Sequence, residues 1–236
     1  VNKQKLQQSM YELRDPSKAQ RLTLAALNVV WVALVWWLLF GGGITVVGGW
    51  LGRAWVAGDS LRRICLLAGF CIYYVRILIT EFVFLKRGIG WSEVFTIAPW
   101  VFCIVALLGI AGGMNPGAFH AAGFVGIFLF VVGSWMNSHA EYTRHVWKRQ
   151  PENRGRLYIE GLFRYSRHPN YLGDLLSFSG LCLIAGAWVT AIVPLLMFAG
   201  FVFVNIPVLD SHLRDHYGTA FGEYARRTRK LIPFVY

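Results

Sequence analysis

The residues of this chain that could do chemistry crowd between Asn137 and Asp174, in NSHAEYTRHVWKRQPENRGRLYIEGLFRYSRHPNYLGD. Asn137, Glu141, Arg144 and Lys148 recur at helical i, i+3 and i+4 spacing, so a helix running this far would carry them on one face. They border an apolar run. Polar groups near membrane depth must pair or line a cavity, which makes the face a candidate site. A solvated helix extension laced with ion pairs is the alternative. Arg144, Lys148, Arg149, Arg154, Arg156 and Arg164 suit an anionic ligand with phosphates, because arginine offers a planar, bidentate fork. Anionic lipid headgroups would attract the same charges.

The phrase RHPNYLGD is more specific. Pro169 excludes a regular helix interior at that point, with Arg167 and His168 before it and Asn170 and Tyr171 after it. Gly173 permits close backbone approach, and Asp174 is expected in the first turn of the next helix, where its charge suits the positive dipole end. Further on, Asp210, His212, Arg214 and Tyr217 are expected just after the last span, in a tail that Phe221 and Tyr224 would pack against the loop. Tyr73, Tyr74, Arg76 and Glu81 lie inside an otherwise apolar run. A tyrosine there can act as general acid to a lipid carbonyl, or simply pack.

The elements that must position these groups are membrane spans. Of 236 residues, 56% are hydrophobic and only 15% charged, against about 25% in soluble domains. Apolar runs at Leu22–Phe40, Ile64–Leu85, Val94–Ala111 and Ala121–Asn137 are near the length a span requires, and Leu175–Phe203 suits a helical hairpin. The glycine-rich stretch after Phe40 is either a short span or a re-entrant segment, giving six or seven spans in an all-α polytopic membrane fold. Closed barrels would show short alternating strands instead. One membrane domain, 1–236, is expected, with a polar arm at 1–21, a cofactor loop at 137–174 and a tail at 207–236. The start carries no short apolar stretch with a cleavage site, so no cleavable signal peptide is expected.

The net charge is +11. It sits between apolar runs and at the tail, as basic cytosolic loops do, so nucleic acid is not the expected partner. Residues 140–168 hold seven Arg/Lys against three acids, and residues 210–230 hold five against three. Both regions are expected on the cytosolic side. Cys65, Cys71, Cys103 and Cys182 lie in apolar stretches without a CxxC pair, which indicates neither a disulfide framework nor a zinc site. No GxGxxG follows a strand, and there is no GxxxxGK[ST] or HExxH.

On these motifs the chain resembles the superfamily of membrane steroid 5α-reductases, sterol reductases and isoprenylcysteine carboxyl methyltransferases, and within it the steroid 5α-reductase-like DUF1295 family. The resemblance rests on Asn170-Tyr171-Leu172-Gly173-Asp174, on Gly161–Phe163 with Tyr165, on Asn137 with Glu141 followed by Arg144 and Lys148, on Tyr217, Phe221 and Tyr224, and on Ile232-Pro233-Phe234. It implies that these positions surround NADPH, and that the activity is reduction of a carbon–carbon double bond in a lipid-soluble enone, steroid- or isoprenoid-like. The cofactor residues it implies are Asn137, Glu141, Arg144, Lys148, Arg156, Tyr158, Arg164, Arg167, His168, Asn170, Tyr171, Asp174, Asp210, His212, Arg214 and Tyr217. Tyr73 or Tyr74 is the expected acid, with Glu81 as a further candidate. Steroid 5α-reductases draw a Tyr and a Glu from two early spans, whereas Glu81 shares its span with the tyrosines.

Arg167-His168-Pro169 is also the phrase methyltransferases of the superfamily use for S-adenosylmethionine, so methyl transfer to an isoprenylcysteine carboxylate or lipid is the alternative. Their paired glutamates are replaced by Asp210 alone. The expected partners are a lipid-soluble substrate and membrane lipid, with no metal. The expected location is a bacterial inner membrane, with the cofactor site facing the cytosol.

Overall fold

A computed structural model describes residues 17–236. The expected polar arm and signal-peptide reading fall mostly outside them. Among the described residues there is no strand; a single bridge joins Ser166 to Arg229.

The helices are α1 (Lys18–Phe40), α2 (Gly43–Trp50), α3 (Ser60–Ile79, extended by a π turn at Thr80–Phe84), α4 (Trp91–Gly113), α5 (Ala121–Arg149), α6 (Pro169–Ala185), α7 (Ile192–Gly200) and α8 (Ile206–Arg227). α7 and α8 join through a π turn at Phe201–Asn205. Among the described residues, five helical segments are long and apolar enough to cross a membrane: α1, α3, α4, α5 and the continuous stretch Trp188–Arg227. The 17-residue α6 packs along α5. α2 has eight residues, about 12 Å of helix, so the glycine-rich stretch is not a span. The expected hairpin turns at Gly186, in the left-handed conformation, and Pro194 falls within α7 rather than in the turn.

Lipid replaces water around this bundle. On α5, Phe124, Phe128, Val131 and Trp135 form one exposed apolar face. Gly126, Phe130, Gly133, Asn137 and Glu141 are buried on the other. The core between the helices is built from Val35, Leu39, Leu66, Phe70, Leu108, Phe130, Phe178 and Leu181.

The tightest packing joins α5 and α6. A Cβ on Gly133 would lie 2.5 Å from the Gly173 carbonyl oxygen, and one on Gly126 would lie 2.6 Å from that of Gly180. The two glycines on each helix are seven residues apart, about two helical turns, so the antiparallel helices meet backbone to backbone at two levels. At the far end of α6, Arg62 is wholly buried, with both terminal guanidinium nitrogens hydrogen-bonded and Nε without a partner among the described residues. It donates to the carbonyls of Ile184 (2.6 Å) and Gly117 (2.9 Å). Asn115 donates to those of Ala185 and Gly186. These side chains cap carbonyls that a helix C-terminus leaves without partners.

All the described loops at the Pro169 end of α6 are basic. The loops at the other end, 41–59, 114–120 and 186–191, hold only Arg53 and Asp59 as charges at neutral pH.

The α5–α6 contact makes a direct prediction. Gly173→Val pushes a branched side chain into the Asn137 amide, 2.7 Å from where its Cβ would stand. Thermal melting in detergent should show a loss of about 1–3 kcal/mol, whereas Gly200→Ala, with open space around it, should melt like the parent.

Candidate functional site

The α5–α6 pairing carries a ladder of polar contacts from the basic end into the bundle. At the outer end Lys148 donates to the Tyr217 hydroxyl (2.8 Å) and to the Arg156 carbonyl. One to two turns inward, Arg144 pairs with Glu141. The other Glu141 oxygen accepts from Asn170 Nδ2 at 3.1 Å, and Asn137 Nδ2 donates to the Asn170 carbonyl at 3.0 Å. Deeper still, Arg76 on α3 donates to Asp174 at 2.7 Å. Its guanidinium lies 4.9 Å from the centre of the Tyr73 ring, which stands edge-on to Phe178. From Lys148 to Asn137 the ladder climbs eleven residues of α5, about 16 Å.

Asp174 is not in the first turn of its helix. α6 begins at Pro169, whose missing N–H costs nothing at a helix start, so Asp174 falls in the second turn and faces Arg76. Asp210, His212, Arg214 and Tyr217 do not form an element separate from the last long helix. They lie on α8, because the helix continues without interruption until Gly218, where φ is 52° and ψ is −123°.

Arg167, His168 and Asp210 come together as a buried clamp between loop and tail. Asp210 accepts from Arg167 at 2.6 Å and lies 2.9 Å from His168 Nε2. Arg167 also donates to the carbonyls of Thr228 (2.8 Å) and Ala225 (3.1 Å), and its amide bonds to the Arg229 carbonyl. Phe221 is fully buried, and the buried Tyr224 donates to the Phe163 carbonyl at 2.7 Å, so the expected tail stripe does pack on the loop. Tyr171 is sandwiched between His168 and Phe201. Tyr158 packs between Trp147 and Phe163 beside Ala140. His212 stacks on His216. Burial pushes the His168 imidazole below its usual range, against the opposing pull of Asp210.

The remaining expected residues are placed apart from the ladder. Arg164 and Arg214 line a separate cavity beneath the C-terminus. Glu81 sits in the π turn of α3, about two turns from Tyr73, with its Oε2 buried and without a hydrogen-bond partner among the described residues. Tyr73 and Tyr74 line a narrow cavity between α1, α3 and α4 with Trp31, Phe70 and Asn28. Asn28 escaped the sequence reading. Its signal was present: a lone amide in the apolar run LTLAALNVVWVALVWW. Among the described residues no cluster of His, Cys, Asp and Glu could hold a metal, and all four cysteines are unpaired.

Fold and site define a class: a polytopic helical membrane protein whose polar ladder enters the bundle from one basic end. The sequence profile described as "Protein of unknown function (DUF1295)" matches residues 90–228, and the chain belongs to that family. Its relatives are enzymes of two chemistries. It is 26% identical over 186 residues to 3-oxo-5-alpha-steroid 4-dehydrogenase 2 of Sus scrofa, covering 72% of this chain and 68% of that protein. Against the same enzyme of Homo sapiens it is 29% identical, covering 48% of this chain and 42% of that protein. It is 36% identical over 107 residues to the probable O-methyltransferase ustE of Ustilaginoidea virens, covering 43% of this chain and 36% of that protein.

Two outcomes follow. Asp174→Leu strands the buried Arg76 charge and should cost about 3–5 kcal/mol, while Arg76→Leu with Asp174→Leu should recover most of it in the same melting assay. The clamp should also be pH-sensitive. Because folding lowers the affinity of His168 for a proton, its contribution is complete above the usual imidazole range and is lost as pH falls from about 7 to 5. Limited proteolysis should therefore cut the tail faster at the lower pH in the parent, and with a smaller pH difference in His168→Gln.

Proposed function

We propose that this chain is a membrane-embedded, NADPH-dependent reductase of a carbon–carbon double bond in a lipid-soluble enone of steroid or isoprenoid type. The observation that carries the reading is the order of charge along the ladder. Cations stand at its solvent end, neutral amides and a carboxylate follow, and an arginine–aspartate pair beside a tyrosine lies at its inner end.

The donor set fits NADPH. Its pyrophosphate and 2′-phosphate are anions that Lys148, Arg144 and Arg156 would hold, with Tyr217 beside them. Glu141 and Asn170 are suited to hydroxyls and a carboxamide, which need acceptors and donors together. When bound, NADPH would supply the hydride for the β-carbon of the polarised double bond. Asp174, held by Arg76, would fix the inner end. Tyr73 or Tyr74 would donate its hydroxyl proton or hydrogen bond to the substrate carbonyl, a contribution typically of about 10²–10⁴ in rate. The apolar walls of their cavity would exclude water, and Asn28 would add a second hydrogen-bonding group.

S-adenosylmethionine fits less well. Its sulfonium is positive and its one carboxylate is balanced by its own ammonium, so it leaves the basic end of the ladder without a counter-charge. Methyl transfer keeps one support of its own, the Arg167-His168-Pro169 phrase together with relatives named as methyltransferases. Here, however, Arg167 and His168 are engaged by Asp210 and by tail carbonyls. The charge difference between the two ends of the bundle supports a cytosolic site, as the positive-inside rule requires.

Fluorescence titration tests the reading. Lys148→Ala should weaken NADPH binding about tenfold, the worth of one charge-assisted hydrogen bond. Tyr73→Phe with Tyr74→Phe should leave that affinity unchanged and slow NADPH oxidation by a 3-oxo-4-ene steroid by about 10²-fold. A parent protein that binds no NADPH would overturn the proposal.

A further inference from the structure

A second basic site lies outside the ladder. A cavity of about 730 Å³ opens between the loop and the C-terminal residues. Besides Lys230 and the clamped Arg167, it is lined by Arg164, Arg214, Arg226, Arg227 and Arg229, and no Asp or Glu side chain contributes to its wall. None of these five guanidinium groups has a salt bridge or side-chain hydrogen bond among the described residues. Asp210 is engaged by Arg167 and His168, and Glu223 lines the neighbouring cavity with Arg214 and Arg226. Gathering like charges around one concavity whose wall holds no carboxylate side chain raises its potential, which is the electrostatic signature of an anion site.

The rim of the cavity has a different character. Tyr165 and Phe234 meet edge to face there, and Phe234 is 81% and Val235 73% exposed. Phe234 is held at φ 66°, in the left-handed region that a bulky residue rarely enters. The turn that holds it there, closed by the Val235 amide on the Ile232 carbonyl at 3.1 Å, turns its ring outward. A backbone strained to expose two apolar side chains beside uncompensated arginines points to a ligand that is anionic at one end and apolar at the other.

We propose that this cavity binds the phosphate of an anionic phospholipid from the leaflet on the loop-and-tail side. Arg226, Arg227 and Arg229 would hold the phosphate, while Phe234 and Val235 would enter the acyl boundary. Basic pockets at this membrane level recognise such headgroups. The site would tie the tail, and with it the Arg167–His168–Asp210 clamp, to the bilayer. This inference does not depend on which cofactor the ladder takes.

The test uses the full chain in nanodiscs of phosphatidylcholine containing phosphatidylglycerol. Native mass spectrometry then reads the lipid retained on release. The parent should keep phosphatidylglycerol in preference to phosphatidylcholine. Arg226→Gln/Arg227→Gln/Arg229→Gln should weaken that retention about 100-fold, taking each basic residue at its usual worth near a membrane surface. Phe234→Ser should weaken it too, with an unchanged melting temperature, and the triple variant should keep the parent's NADPH affinity. Equal retention of both lipids, or an unaffected triple variant, would overturn the proposal. So would pyrophosphate displacing phosphatidylglycerol at comparable concentration, since the site would then serve free phosphates. Loss of NADPH affinity in the triple variant would assign the cavity to the cofactor instead.

Discussion

The close approach of α5 and α6 through Gly126, Gly133, Gly173 and Gly180 sets the geometry on which the candidate site depends. In a bilayer no hydrophobic force drives helices together, so packing distance decides which pairs hold. Where glycine meets backbone, the helices have little freedom to slide. A slip of one turn, 5.4 Å, would part Asn137 from the Asn170 carbonyl and Glu141 from the Asn170 amide. It would also carry Asp174 away from Arg76. The ladder is therefore a consequence of helix register, and the register follows from two pairs of small residues.

Burying these polar groups is costly, and the structure offsets the cost locally. Arg76 and Asp174 sit where an unpaired charge would be expensive, and each is the other's compensation. Glu141 serves two neighbours at once, Arg144 and Asn170. At the outer end Lys148 ties α5 to α8 through Tyr217, and the Arg167–His168–Asp210 clamp ties the loop to the same helix. The tail is thus fastened to both sides of the ladder, as a cover for a ligand lying along it would be.

Much of this was legible in the sequence, for physical reasons. Spans follow from apolar length. The Asn137–Lys148 face follows from spacing, and it survived because the helix does continue to Arg149. Phe221 and Tyr224 announced the packing of the tail. What escaped was pairing across long separations. Nothing in the order of residues says that Arg76 meets Asp174, or that Asp210 meets Arg167 and His168. Asp174 falls in the second turn because the helix starts at Pro169, and Asp210–Tyr217 stay helical because Pro207 stands at the start of α8, just after the π turn, where a missing N–H is tolerated, and the next break comes only at Gly218. Asn28 was overlooked because a single amide in an apolar run is weak evidence until the fold sets it beside Tyr73 and Tyr74.

The central claim is that the ladder along α5 and α6 is built for a multiply charged dinucleotide. Isothermal titration of the purified full chain in nanodiscs, with NADPH and with S-adenosylmethionine in parallel, tests it most directly. The account predicts saturable binding of NADPH and none of S-adenosylmethionine. Saturable binding of S-adenosylmethionine without binding of NADPH would contradict it.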